Sequence, residues 1–266
     1  TILPSGLRVL FIVAVLFFPL PGMRRAALST LRGRAAPLRR IACVHAMQPS
    51  ISSTLPAFQE HWPEAELVHL MDDSLSKDVR PNTSMDDRFV SLARYARDGI
   101  GCDGVLFTCS AFGAAIEAAK RDVVEIPVLK PNEAMMEEAV QLSSGQSPIA
   151  VLSMFQPTLP SIVCEMEALA GHPLNLKTLF VEDAMAALDA GREGECVDII
   201  ARAAEAAVSE AREQGEELAC VVFAMFSMAR AKEATEMLLR QLPGETPTVL
   251  TSPDTAVLRM KSLLRQ

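Results

Sequence analysis

The tripeptide Thr108-Cys109-Ser110 stands where an apolar run, Gly104 to Phe107, gives way to an alanine-rich helical pattern beginning near Ala111. A thiol before the first turn of a helix meets unpaired backbone N–H groups and the positive end of the helix dipole, surroundings that favour the thiolate. A thiolate so placed can serve as a base or a nucleophile. The same N–H groups, with the Thr108 and Ser110 hydroxyls, can hold a carboxylate. The competing reading is a small packed cysteine, the commoner fate of that residue.

Weaker candidates surround it. His45 ends the first strand-like run; it suits a cleft lining or a packed core histidine equally. Asn132 follows Ile126-Pro127-Val128-Leu129 at a strand-to-helix junction, where an N-cap is the ordinary role and substrate contact the alternative. Ser153 and Thr158 flank the turn that opens the second half of the chain, and Ser227 lies in a turn that ends a later strand. His61, His69 and His172 make no cluster in the sequence. The six cysteines, at 43, 102, 109, 164, 196 and 220, contain no C-x-x-C pair, so neither a zinc-site spacing nor a disulfide framework is present and no metal is expected. Gly99, Gly101 and Gly104 spell G-x-G-x-x-G but precede a strand instead of linking a strand to a helix, which excludes the dinucleotide fingerprint.

The elements that must position these groups alternate. Strand-like runs occur at 40–46, 65–71, 102–109, 124–130, 147–154, 174–181, 218–226 and 246–252, separated by helical patterns and followed by an amphipathic segment, 251–266. Such alternation predicts an α/β fold with parallel sheets. Eight strands divide into four and four near Ser143–Pro148, giving a first lobe over 41–145 and a second over 146–250. The halves echo each other: Gly101–Ala119 and Gly215–Ala234 each run from a glycine-ended helix through a buried strand into a turn and helix. This reads as an internal duplication with the Cys109 and Met225 turns at equivalent places. Ligands of parallel sheets sit at the carboxyl ends of strands, so both turns should face one cleft.

The stretch from Gly101 to Val140, the segment Val151–Ser161 and the mirrored strand ending in Phe226-Ser227-Met228-Ala229 together resemble the aspartate/glutamate/hydantoin racemase superfamily, which includes maleate isomerases and arylmalonate decarboxylases. The resemblance covers most of residues 41–250. It implies two pseudo-symmetric lobes, each with a four-stranded, mainly parallel sheet flanked by helices, and an active site between them. It implies a cofactor-independent racemase or isomerase acting at a carbon next to a carboxylate, with Cys109 as base or nucleophile. Thr108, Ser110, Asn132, Ser153, Thr158 and His45 would bind a small carboxylate substrate. The chain departs from the family where two-base racemases carry a second cysteine: Met225 stands there, and a thioether exchanges no proton. Ser227 is the nearby substitute. A decarboxylase or other lyase acting on a substituted malonate is the alternative, and a catalytically silent carboxylate-binding homologue the third.

Charge and hydropathy bound the remainder. Of 266 residues, half are hydrophobic and the formal net charge is -8. Residues 1–40 carry seven arginines and no acid, leaving 18 basic against 33 acidic residues beyond, a balance of -15 that excludes a nucleic-acid partner. The apolar run Val9–Phe18 is ten residues long, half of what a bilayer span needs, so no stable membrane span is expected. Met23–Arg40 is rich in arginine and free of acids, the composition of an organelle transit segment, mitochondrial before plastid. A homodimer is the default assembly.

Overall fold

The computed structural model describes residues 38–78, 83–144 and 146–265; the segment read as addressing falls outside them up to Pro37. Leu38–Gln266 form one compact unit. In its first half, β1 (Arg40–His45), α1 (Pro49–His61), β2 (Glu66–Met71), α2 (Leu75–Asp78), α3 (Asp86–Arg94), β3 (Gly104–Phe107), α4 (Gly113–Asp122) and β4 (Val128–Leu129) precede α5 (Glu133–Ser143). The second half repeats the scheme with β5 (Ile149–Ser153), α6 (Thr158–Ala170), β6 (Leu176–Phe180), α7 (Ala184–Asp189), α8 (Glu193–Glu213), β7 (Cys220–Phe223), α9 (Lys232–Leu239) and β8 (Thr248–Thr251), then α10 (Ser252–Arg265). No helix among the described residues is long and apolar enough to cross a membrane.

Each half forms a four-stranded parallel sheet, ordered β2-β1-β3-β4 and β6-β5-β7-β8, so the expected pair of matching α/β lobes is present. The central strands β3, β5 and β7 are apolar and buried almost throughout, as parallel strands covered on both faces must be. The edge strands β2 and β6 mix polar with apolar residues and stay partly exposed. The fourth expected strand shrinks from 124–130 to two residues. Pro127 is the cause: it has no N–H to give the ladder and contributes only its carbonyl, which accepts from the Val105 N–H at 2.9 Å.

Two discarded glycines prove structural. Gly101 closes a single π turn, Tyr95–Ile100, at φ +76°, a conformation that suits a residue without Cβ. Gly104 lets α10 approach β3; a Cβ there would stand 2.6 Å from the Met260 Sδ.

Coverage of the sheets joins the halves. The outer face of the first sheet packs on α3 and α4 through Phe89, Phe107 and Phe112, with ring centroids 5.0 Å apart in both Phe89 pairs. Its inner face, Ile41, Cys43 and Leu106, is covered by α1 and by Val257 and Met260 of α10. The second sheet buries one face under α7, α8 and α9. Its other face, Ile149, Val151 and Val222, lies under α6 and under Met135, Met136 and Ala139 of α5. Thus α5, made with the first half, covers the second sheet, and α10, made after the second half, covers the first.

Met260 is fully buried at this junction. Met260→Ala is expected to lower the unfolding free energy by about 2–5 kcal/mol, measured by urea titration. Because each half completes the other, Cys43 and Cys220, one in each sheet and both fully buried, should become reactive to a thiol reagent at a single shared midpoint in the wild type.

Candidate active site

The strand ends of both halves border one cleft of about 560 Å³, lined from the first half by Ser50, Thr108, Cys109 and Asn132 and from the second by Phe155, Thr158 and Met225. The two halves present the same turn. The Thr108 N–H donates to the Val44 carbonyl at 3.0 Å, and the Ala224 N–H donates to the Leu152 carbonyl at 2.9 Å. Cys109 (φ -121°, ψ 116°) and Met225 (φ -118°, ψ 138°) follow in nearly the same extended conformation, each heading a 3₁₀ turn, Ser110–Phe112 and Phe226–Ala231, that runs into α4 and α9. Met225 therefore occupies the twin position of the thiol.

Cys109 is half-buried in the cleft wall. The neighbouring Ala111 N–H acts to lower its pKa, although the turn forms no side-chain cap hydrogen bond. Burial outweighs it and pushes the thiol above its ordinary value, so the expected resting thiolate is not realised. The N–H groups are placed as the sequence suggests, but the low-polarity wall penalises the anion more than they favour it.

Six of the eight candidates line the cleft: Thr108, Cys109, Ser110, Asn132, Thr158 and Ser227. Asn132 precedes α5 but makes no side-chain cap bond; it is 2% exposed, and its Nδ2 lies 4.0 Å from the Met136 Sδ. The N-cap reading is thereby replaced by a buried amide facing the cleft. Ser153 does not reach the cleft: fully buried, its Oγ accepts from the Phe155 N–H at 3.1 Å and donates to the Phe155 carbonyl at 2.9 Å, so both its capacities are used within its own turn.

His45 is likewise no lining residue. It is fully buried behind Thr108, with its Nδ1 2.9 Å from the Thr108 Oγ1 and its Nε2 2.9 Å from the His69 Nδ1. The Thr108 hydroxyl donates to the Val44 carbonyl at 3.2 Å. That direction makes the Thr108 oxygen the acceptor for the His45 Nδ1–H and leaves the His45 Nε2 to accept from the His69 Nδ1–H. The rings stack with centroids 5.2 Å apart, so His69 does form a cluster, against expectation. Burial, then the neighbouring His69, lowers the His45 pKa to about 4; burial lowers that of His69.

Sequence reasoning missed Ser50. Its signal is a second duplication, Met47-Gln48-Pro49-Ser50 after β1 and Phe155-Gln156-Pro157-Thr158 after β5. Both fold alike, with the Ser50 N–H on the Met47 carbonyl at 3.2 Å and the Thr158 N–H on the Phe155 carbonyl at 3.0 Å. Proline opens each helix because its fixed φ suits the first turn.

Among the described residues, Glu165 is the only charged side chain lining the cleft. Among the described residues no lysine or arginine lines it, so an acidic ligand would rest there on N–H groups, hydroxyls and the Asn132 amide. The one carboxylate–imidazole grouping among the described residues, Glu60, His61 and Asp254, lies outside the cleft lining. Asp254 there is already held by Lys232 and Thr251, each at 2.7 Å, and the ammonium disfavours a metal ion.

No protein-family model matches the chain, and no curated protein matches it in sequence. Solved structures do match in fold. An allantoin racemase from Klebsiella pneumoniae superposes with a TM-score of 0.62 at 18% identity, over 85% of this chain and 88% of that one. An aspartate racemase homologue, PH1733 from Pyrococcus horikoshii OT3, gives 0.60 at 14% identity, over 86% and 100%. An unliganded arylmalonate decarboxylase gives 0.53 at 13% identity, over 85% and 92%. The chain thus shares the two-lobed α/β fold of these racemase and decarboxylase structures.

Two measurements follow from the site's electrostatics. Iodoacetamide should label Cys109 slowly at pH 7 and faster as pH rises through 9, read by peptide mapping with the exposed Cys164 as the fast internal control. The His45 pKa is depressed on folding, so the unfolded chain binds the extra proton. Stability is then full above about pH 6.5 and lost as pH falls toward 4, by on the order of 3 kcal/mol. His45→Asn should flatten that acid limb in urea titrations.

Proposed function

We propose that the protein is a cofactor-independent enzyme of racemase or isomerase type that exchanges the proton on a carbon next to a carboxyl or acyl group, with Cys109 as its base. The observation that carries this reading is the Cys109 sulfur in the cleft wall, at a strand end and directly before the 110–112 turn. The resting thiol first gives its proton to water, and the minor thiolate form then takes the substrate proton: the C–H bond breaks, an S–H bond forms, and the electron pair moves onto the acyl oxygens. The donors for that charge are the N–H groups of the 110–112 turn, the Ser110, Ser50 and Thr158 hydroxyls and the Asn132 amide. Thr108 supports the turn from behind, its hydroxyl already committed to the Val44 carbonyl. A substrate that fits the cleft is a small acid or its cyclic acyl equivalent.

Inversion needs a proton from the opposite face. Met225 offers none, so Ser227, or a water it holds, supplies it in the racemase reading. Met225 at the twin position favours a second reading, a decarboxylase on a substituted malonate. There the carbanion forms by loss of carbon dioxide, and the Cys109 S–H alone returns the proton.

Proton NMR in D2O against amino acids, hydantoins and substituted malonates tests both. Exchange of the α-proton, or loss of a carboxylate, should fall by at least about 10²-fold in Cys109→Ala. Met225→Cys should raise racemisation relative to exchange, detected by chiral analysis. No reaction with any substrate, in either variant or the wild type, would leave a silent binding protein as the better description.

A further inference from the structure

Beside the cleft, at Met225, lies a second space of about 260 Å³, lined by Met185, Leu188 and Asp189 of α7. The two spaces share Met47, Ser50, Phe155, Met225 and Ser227 in their linings, so they adjoin at these side chains. The side space is apolar, and it opens at the position where the duplicated fold would put a second thiol. Met47 and Phe155 are 47% and 51% exposed, unusual for large apolar groups flanking a cleft. Among the described residues, the charged side chains lining the two spaces are Glu165 and Asp189, both anionic. A carboxylate placed in the side space would meet apolar walls and like charge.

We infer that this side pocket receives a bulky apolar substituent, aryl or branched alkyl, carried by the reacting carbon, so that the acidic or acyl groups of the substrate are confined to the head group at Cys109 and the substituent carries no carboxylate. The inference rests on the proposed chemistry only for which end of the ligand lies at Cys109. Met225 here has the role of a wall: it fills the place of a proton donor with a surface that an apolar group can cover. Leu188 and Met185 set the size of the group accepted.

The test uses the full chain and three head groups (amino acid, hydantoin, malonate), each bearing benzyl, methyl or carboxymethyl, with affinities from calorimetry. For at least one head group the benzyl ligand should bind ten times more tightly than the methyl, and the carboxymethyl more weakly than either. Leu188→Trp, which fills the pocket, should erase the benzyl advantage and leave methyl binding within about twofold. Met47→Glu, at an exposed site, should weaken benzyl binding independently should the tryptophan variant fail to fold. Equal benzyl and methyl binding, a preference for carboxymethyl, or no binding by any of the nine would overturn the inference. So would a dimer in light scattering that Leu188→Trp dissociates while benzyl ligands fail to bind, since the occupant would then be a second copy. Proton exchange on the same ligands is read separately: benzyl-selective binding without exchange sinks the proposed chemistry alone, and exchange without benzyl preference sinks the pocket alone.

Discussion

Each sheet of this protein owes one covered face to the other half of the chain. A parallel sheet is apolar on both sides and is stable only when both are buried, and here α5 supplies the second sheet while α10 supplies the first. That exchange holds the two sets of strand ends beside one another, and the cleft is the space left between them. It also gives the duplicated halves different surroundings. A turn repeated in sequence and conformation can therefore hold a thiol in one half and a thioether in the other without disturbing the frame.

The cleft is built from neutral donors. Hydroxyls, one amide and helix-start N–H groups line it, with a single carboxylate as the only charge among the described residues. Neutral donors aimed at a fixed place cost little while the cleft is empty and strengthen as charge develops on a bound oxygen. The same low polarity explains why Cys109 rests as a thiol. Basicity at this sulfur is a balance between a penalising wall and one favourable N–H, so a bound ligand that changes the wall changes the sulfur.

The strands and their division into halves were legible in the sequence because buried parallel strands leave nearly unbroken apolar runs, as in Ile149–Leu152 and Cys220–Phe223. The Cys109 turn was legible because Thr and Ser flank a strand end. Burial direction was not. Ser153 and His45 end central strands as the catalytic-looking residues of such folds would, yet both turn into the protein, which depends on packing that no local pattern records. The His45–His69 pair needs the register of β1 on β2, where Cys43 lies opposite His69 and His45 opposite Met71; 24 residues of separation conceal it. Ser50 was within reach, since the repeated Gln-Pro-Ser/Thr is visible once the two halves are aligned.

The bonded string from His69 through His45 to Thr108 has a polarity, and the polarity has an end. Every proton along it points inward, and the last rests on the Val44 carbonyl, a group that neither passes a proton on nor gives one back. A proton arriving at the half-buried His69 could move one step, to the buried His45, and would stop there as an uncompensated charge. The string is consequently a tether and not a wire. It fixes the residue that carries the Cys109 turn while keeping proton traffic at the sulfur confined to the cleft side, so whatever reprotonates Cys109 must come from the substrate or from water that enters with it.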